Sequence, residues 1–99
     1  MLEIKTTSND AKLTVVLNGR LDTTTAPQLE SELKDKLGGV KDLLLDCTDL
    51  AYISSAGLRV LLATQKTMSE QGEMKLQNVN DTVAEVLEVT GFANILTII

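Results

Sequence analysis

Two adjacent hydroxyls, Ser54 and Ser55, stand in the stretch Tyr52-Ile53-Ser54-Ser55-Ala56-Gly57-Leu58-Arg59, where an apolar strand gives way to an apolar helix. Hydroxyls at such a junction have two uses. A side-chain oxygen just before the first helical turn accepts a hydrogen bond from a free backbone N–H and stabilises the helix by about 1 kcal/mol. A hydroxyl in that first turn can also carry a phosphoryl group, because the unpaired N–H groups and the positive end of the helix dipole favour an anion there. One cap needs one serine, and this junction has two. The other groups with chemistry to offer are Asp22, after Gly19-Arg20-Leu21, and the cluster Asp46-Cys47-Thr48-Asp49. Taken singly, Asp22 and Asp46 read as a turn residue and a strand-end residue. Cys47, the only cysteine, reads as a buried apolar filler.

Catalysis by these groups meets a simple obstacle. The chain has no histidine, so no Ser-His-Asp or Cys-His nucleophile, no histidine phosphotransfer and no His-containing metal site can be assembled. A lone cysteine excludes an intrachain disulfide and a Cys-x-x-Cys pair. Gly-x-Ser-x-Gly elbows and Walker-type loops are absent from the sequence. An acid–base pair made of Asp22 and Asp46 would need a cleft larger than a 99-residue domain ordinarily builds. A receiver-domain phosphoacceptor at Asp46 would need an acidic pair after the first strand and a lysine at a later strand end, and neither is found. The expectation is a protein that is not an enzyme and that holds no cofactor or metal.

The elements that position these groups follow from hydrophobic periodicity. Residues 2–6 alternate as a half-buried strand, Ser8-Asn9-Asp10 supplies a turn, and residues 13–17 form a second strand, so the chain opens with a hairpin. Residues 19–22 read as irregular. Thr25-x-x-Gln28 predicts a capping box with Pro27 in the first turn of a helix that buries Leu29, Leu33 and Leu37 and stops at Gly38-Gly39. The continuous apolar run at 42–47 predicts a central strand covered on both faces. Leu58, Leu61, Leu62 and Met68 keep helical spacing up to Gln71-Gly72, residues 74–76 resume alternation, and Asn80 caps a third helix with Val83, Val86 and Leu87 inward and Gly91 as its stop. Residues 95–99 make the last strand.

The resulting order ββαβαβαβ predicts an α/β domain spanning residues 1–99, an open mixed sheet of about five strands with an N-terminal hairpin, mostly parallel, and helices packed on it. Ligands and switches gather at the carboxyl ends of parallel strands in such sheets. Three segments, 19–25, 46–49 and 54–57, are expected to converge on that rim.

Composition narrows the partners. Nine basic against fourteen acidic residues give a net charge of −5, which repels nucleic acid and anionic lipid. The first ten residues carry no signal-peptide core, and the apolar runs fall short of the ~18 residues of a membrane span. A cytoplasmic protein without direct nucleic-acid or membrane contact is expected.

The segments GRLDTTTAPQLESEL, LLLDCTDLAYISSAGLRVLLATQK and NVNDTVAEVLEVTGFANIL together resemble the bacterial anti-sigma factor antagonists, stand-alone STAS domains, from about Leu13 to the C-terminus. The most specific parts are Gly19-x-Leu21-Asp22-x-x-Thr25 and Asp49-Leu50-x-x-Ile53-x-Ser55-x-Gly57-Leu58. The resemblance implies that Ser55 is phosphorylated by a partner that is both anti-sigma factor and serine kinase, of the histidine-kinase-like ATPase type, and that a serine phosphatase reverses the reaction. Many relatives carry aspartate before the acceptor and a second hydroxyl after it. Here these positions are Ser54 and Ala56, which makes Ser54 the alternate acceptor. The same resemblance implies that Asp22 and Thr25 line the partner-binding rim beside the serine, with Asp46 and Asp49 as secondary candidates; Ser54, Ser55, Gly57 and Arg59 complete the expected partner-binding set. The second helix is expected to expose Arg59, Lys66 and Thr64. A rival reading keeps the fold but makes the chain a partner-switch or lipid-transport accessory protein with a partner other than a sigma regulator. Such lipid-transport components can lack the phosphoacceptor, so Ser55 leans against it.

Overall fold

Strands β1 (Leu2–Asn9) and β2 (Lys12–Leu21) form the opening hairpin in a computed structural model that describes residues 2–99. They pair antiparallel, with Ile4 opposite Leu17, and Asp10 turns the chain in a left-handed conformation at φ 54°, a geometry that aspartate tolerates better than most residues. Helix α1 (Ala26–Lys36) returns the chain to β3 (Asp42–Ile53), α2 (Ser55–Gln71) to β4 (Glu73–Gln77), and α3 (Asp81–Val89) with a short 3-10 turn (Phe92–Asn94) to β5 (Thr97–Ile98). The sheet order is β1-β2-β3-β4-β5, with β2 to β5 parallel. The expected order and the mixed, mostly parallel sheet are therefore observed.

Successive parallel strands are also neighbours, so right-handed crossovers carry all three helices to one face. Burial follows that geometry. Leu13, Val15 and Leu17 of β2, Leu43 and Leu45 of β3, and Met74 and Leu76 of β4 are fully buried and join Leu29, Leu33, Leu61, Met68, Val83 and Leu87 of the helices in one core. The alternate residues Thr14, Val16, Leu44, Asp46 and Lys75 remain half-buried on the other face. The leucine run of β3 is thus covered on one face, not two: no layer of the described chain lies over Leu44. The last strand is also shorter than expected, because the turn at Phe92–Asn94 consumes chain and Ile95 stays half-exposed before Leu96 is buried.

β3 carries two residues more than the strand beside it. The ten residues of β2 run beside the twelve of β3, and the register shifts between Val16 and Asn18 and again between Gly19 and Arg20. Bulges of this kind bend the strand and redirect its side chains. Leu21 and Ile53 emerge side by side, both buried, with Arg20 beside Tyr52 on the opposite face. Residues 19–21, expected to be irregular, thus belong to the sheet.

Helix α2 lays Gly57, Val60, Leu61, Thr64 and Met68 inward. Thr64, expected on the surface, is buried within this stripe and spends its hydroxyl on the Val60 carbonyl at 2.7 Å, whereas Leu62 falls outside it. Asn80 caps α3 as expected: its Oδ1 accepts from Val83 N–H at 2.9 Å while its Nδ2 donates to the Leu50 carbonyl at 2.6 Å, tying the helix to β3.

Candidate functional site at the carboxyl ends of β2 and β3

The junction between β3 and α2 separates the roles of the two serines. Ser54 is extended at φ −101°, ψ 176° and caps α2, its Oγ accepting from Gly57 N–H at 3.5 Å. Its own N–H donates to the Leu21 carbonyl at 2.9 Å, and its carbonyl accepts from Leu58 N–H at 2.9 Å. Ser54 is therefore half-buried and committed to structure. Ser55 opens the helix, is exposed, and its hydroxyl has no hydrogen-bond partner among the described residues. No carboxylate among the described residues is hydrogen-bonded to it as a base, so its oxygen is not activated as a nucleophile by its own neighbours.

Gly57 lies beneath the two serines and is buried. A Cβ there would stand 2.7 Å from Leu21 Cγ and 3.0 Å from Ile53 Cγ1. The glycine lets the first turn of α2 settle on the paired strand ends, a packing role and not a contact surface.

The β2–α1 loop is built around Asp22. Its Oδ1 accepts from Thr24 N–H at 3.0 Å, Thr24 Oγ1 at 2.8 Å and Thr25 N–H at 3.2 Å. The Thr24 hydroxyl is the main cause that holds the Asp22 carboxyl below its ordinary value; burial opposes it, and the Thr24 and Thr25 groups add to it. Thr25 is 7% exposed, so its placement on the partner surface is corrected. Its Oγ1 donates to the Arg20 carbonyl at 2.7 Å and accepts from Asp22 N–H at 2.8 Å. The expected capping box is consequently absent: Thr25 has no side-chain cap bond, and Gln28 Nε2 reaches the Leu2 carbonyl at 3.3 Å.

Arg59, exposed one turn beyond Ser55, lines a shallow depression between α1 and α2 with Thr23, Pro27, Glu30 and Ala56. The Ser54–Leu21 hydrogen bond joins this patch to the Asp22 loop, so Asp22, Ser54, Ser55 and Arg59 gather at one end of the sheet.

Asp46 is elsewhere. It lies inside β3 opposite Val16 and Gln77, where β4 ends, seven residues before Ile53. Its Oδ1 accepts from Thr48 Oγ1 at 2.6 Å, from Thr48 N–H at 3.0 Å and from Asn78 Nδ2 at 3.5 Å, and the Thr48 hydroxyl leads in lowering its pKa. Asp49 is exposed beside Asn18 on the way to the rim. Cys47 is buried as expected, and burial, with Asp46 adding to it, pushes its thiol up to about 12, far from a reactive thiolate.

Sequence reasoning missed one feature of this rim. Arg20 Cζ stands 4.5 Å from the Tyr52 ring centroid, and its Nε is 3.8 Å from Asp22 Oδ2. The bulges that set Arg20 opposite Tyr52 leave no periodic signal, but one clue was available: the chain has two arginines, Arg20 and Arg59, and both fall within the rim motifs.

An open mixed sheet with three helices on one face and an exposed serine at the head of the second helix defines a small α/β domain. The STAS domain family model matches residues 2–99, and the chain belongs to that family. It is 40% identical over 91 residues to BtrV of Bordetella bronchiseptica, whose name describes a candidate anti-sigma factor antagonist, covering 90% of this chain and 78% of that one. It is 29% identical over 97 residues to the anti-sigma-B factor antagonist of Staphylococcus aureus, covering 96% and 90%. The fold is shared with the Bacillus anti-sigma factor antagonist SpoIIAA. The unphosphorylated form superimposes with a TM-score of 0.75 at 17% identity over 100% of this chain and 87% of that one. For the phosphorylated form the values are 0.74, 17%, 100% and 91%. Among the described residues no helix is long and apolar enough to cross a membrane.

Proposed function

We propose that this chain is a cytoplasmic anti-sigma factor antagonist switched by phosphorylation of Ser55. Unmodified, it binds an anti-sigma factor that is also a serine kinase of the histidine-kinase-like ATPase type and so frees the sigma factor. Phosphorylated, it lets the kinase go, and a serine phosphatase restores binding. The observation that carries this reading is the division between the serines: Ser54 is spent on the helix cap, and Ser55 is exposed with a free hydroxyl in the first turn. The names of the relatives supply the regulatory context, and SpoIIAA has been solved in unphosphorylated and phosphorylated forms.

The physics asks little of the fold. A phosphoryl group adds about −1.5 to −2 charges near neutral pH, and at the start of α2 it meets unpaired N–H groups. Its effect falls on the docking surface, which already carries Asp22. A loss of about 2.8 kcal/mol weakens a complex about a hundredfold. The nucleotide and its metal belong to the kinase, and this chain supplies only the acceptor oxygen.

Incubation with the kinase and ATP should add one phosphate, on Ser55 by phosphopeptide mass spectrometry. Ser55→Ala should bind constitutively, and Ser55→Glu should bind about a hundredfold more weakly. Phosphate on Ser54, or full binding by Ser55→Glu, would overturn the reading.

A further inference from the structure

The guanidinium of Arg20 is oriented from both sides and hydrogen-bonded by neither. Tyr52 supports its face at 4.5 Å, and Asp22 Oδ2 approaches Nε only to 3.8 Å, beyond hydrogen-bond reach. Its side chain is 55% exposed, and none of its five N–H donors has a hydrogen-bond partner among the described residues. An exposed arginine ordinarily samples many rotamers. Here the cation–π contact and the nearby carboxylate restrict it before any partner arrives, which lowers the entropic cost of docking.

From this we infer that Arg20, stacked on Tyr52, is a specificity-determining docking residue that receives a carboxylate side chain of the anti-sigma partner in a two-pronged pair. The inference rests on the function proposed above and adds the chemistry of the contact. Charge complementarity selects the occupant: a guanidinium fork matches a carboxylate with two parallel N–H···O bonds, and the 3.8 Å ion-pair contact with Asp22 leaves those bonds unmade. The phosphate of Ser55 is the less suitable occupant. Leu21 and Ile53 point toward the helices, so Arg20 and Tyr52 project from the opposite face of the sheet, away from α2. The partner therefore contacts the start of α2 and reaches over the strand ends to the open face. Asp22 positions Arg20 through charge, and Tyr52 is a positioning residue that acts only through Arg20.

Titration calorimetry of the full chain against its anti-sigma factor, at several salt concentrations, tests this. Arg20→Ala should weaken binding ten- to a hundredfold and flatten the salt dependence, Arg20→Glu should weaken it further, and Arg20→Lys should fall between Arg20→Ala and wild type. Tyr52→Leu should weaken binding a few-fold in the wild type and have no further effect in Arg20→Ala, whereas Tyr52→Phe, which keeps the ring, should bind normally. A partner Asp→Arg or Glu→Arg substitution should rescue Arg20→Glu. Unchanged melting temperatures keep these results separate from folding. If Arg20→Ala binds like wild type while Ser55→Glu does not, the inference fails and the proposed function stands. If Arg20→Ala slows phosphorylation without weakening the complex, Arg20 serves a phosphate or nucleotide and the inference is overturned. If wild type and Ser55→Ala both fail to bind, the function falls and the inference with it.

Discussion

Two aspartates of this chain sit in nearly the same local structure and end in different places. Asp22 and Asp46 are each followed at the second position by a threonine whose N–H donates to Oδ1 at 3.0 Å and whose hydroxyl donates at 2.8 Å and 2.6 Å respectively. Both carboxyls are held below their ordinary value chiefly by that hydroxyl. What differs is the attachment. Asp22 closes β2, also accepts from Thr25, faces Arg20 and is joined to the head of α2 through the Leu21–Ser54 hydrogen bond. Asp46 sits within β3 just before a bulge and, beyond its own turn, accepts from Asn78, which follows β4. A short-range motif supplies an ordered negative charge in either case. The strand end it occupies decides whether that charge can serve a docking surface.

The comparison breaks most sharply on paired alanine variants. Asp22→Ala removes the acceptor that organises Thr24 and Thr25 and lets Arg20 swing free, so affinity for the anti-sigma factor should fall by about tenfold or more. Asp46→Ala, with the same local loss, should leave affinity within about twofold. Calorimetry on the two proteins decides it, and equal losses would mean that the partner's footprint extends along β3 and that position on the sheet does not separate the two sites.

A smaller effect separates the serines. Ser54→Ala removes the cap of α2 and should cost about 1 kcal/mol, a fall in melting temperature of roughly 4–8 °C for a domain of this size. Phosphorylation of Ser55 should persist in that variant. Loss of phosphorylation with an unchanged melting temperature would exchange the roles of the two hydroxyls.

The order of elements and the rim that holds Ser55 were legible in the sequence because they depend on periodicity, breakers and caps, which are local. Asn80 capped α3 as its spelling implied. Thr25-x-x-Gln28 was spelled equally well and did not form its box, because two backbone groups brought by the sheet, Arg20 C=O and Asp22 N–H, took the threonine hydroxyl first. The leucines of β3 read as doubly covered because a run of large apolar residues reports hydrophobicity and not the number of layers. The Arg20–Tyr52 contact was illegible for a sharper reason: it exists only because β3 spends two extra residues in bulges opposite β2. Nothing in the spacing of Leu50, Tyr52 and Ile53 announces them. Thr64 was misplaced by counting Leu62 into the inward stripe, whereas the stripe follows Gly57, Val60, Leu61, Thr64 and Met68.

The smallest expected effect tests the likeness between the two aspartates directly. If the hydroxyl two residues on is the main cause of each lowered pKa, then Thr24→Val should raise the midpoint of Asp22, and Thr48→Val that of Asp46, toward the ordinary 3.8, as read from carboxyl carbon chemical shifts. The sign of the stability change follows by linkage. A carboxylate whose folded pKa lies below its unfolded value stabilises the fold fully above the unfolded value and loses that contribution as pH falls through the folded one. Wild type should therefore hold a nearly constant melting temperature from neutral pH to roughly pH 5 and decline below about pH 4, and either valine variant should decline less steeply there. At neutral pH the two variants should part company: Thr24→Val loosens the Asp22 loop and weakens partner binding, whereas Thr48→Val leaves it intact. An acid limb that moves in one variant alone would show that the likeness of the two turns stops at their hydrogen bonds.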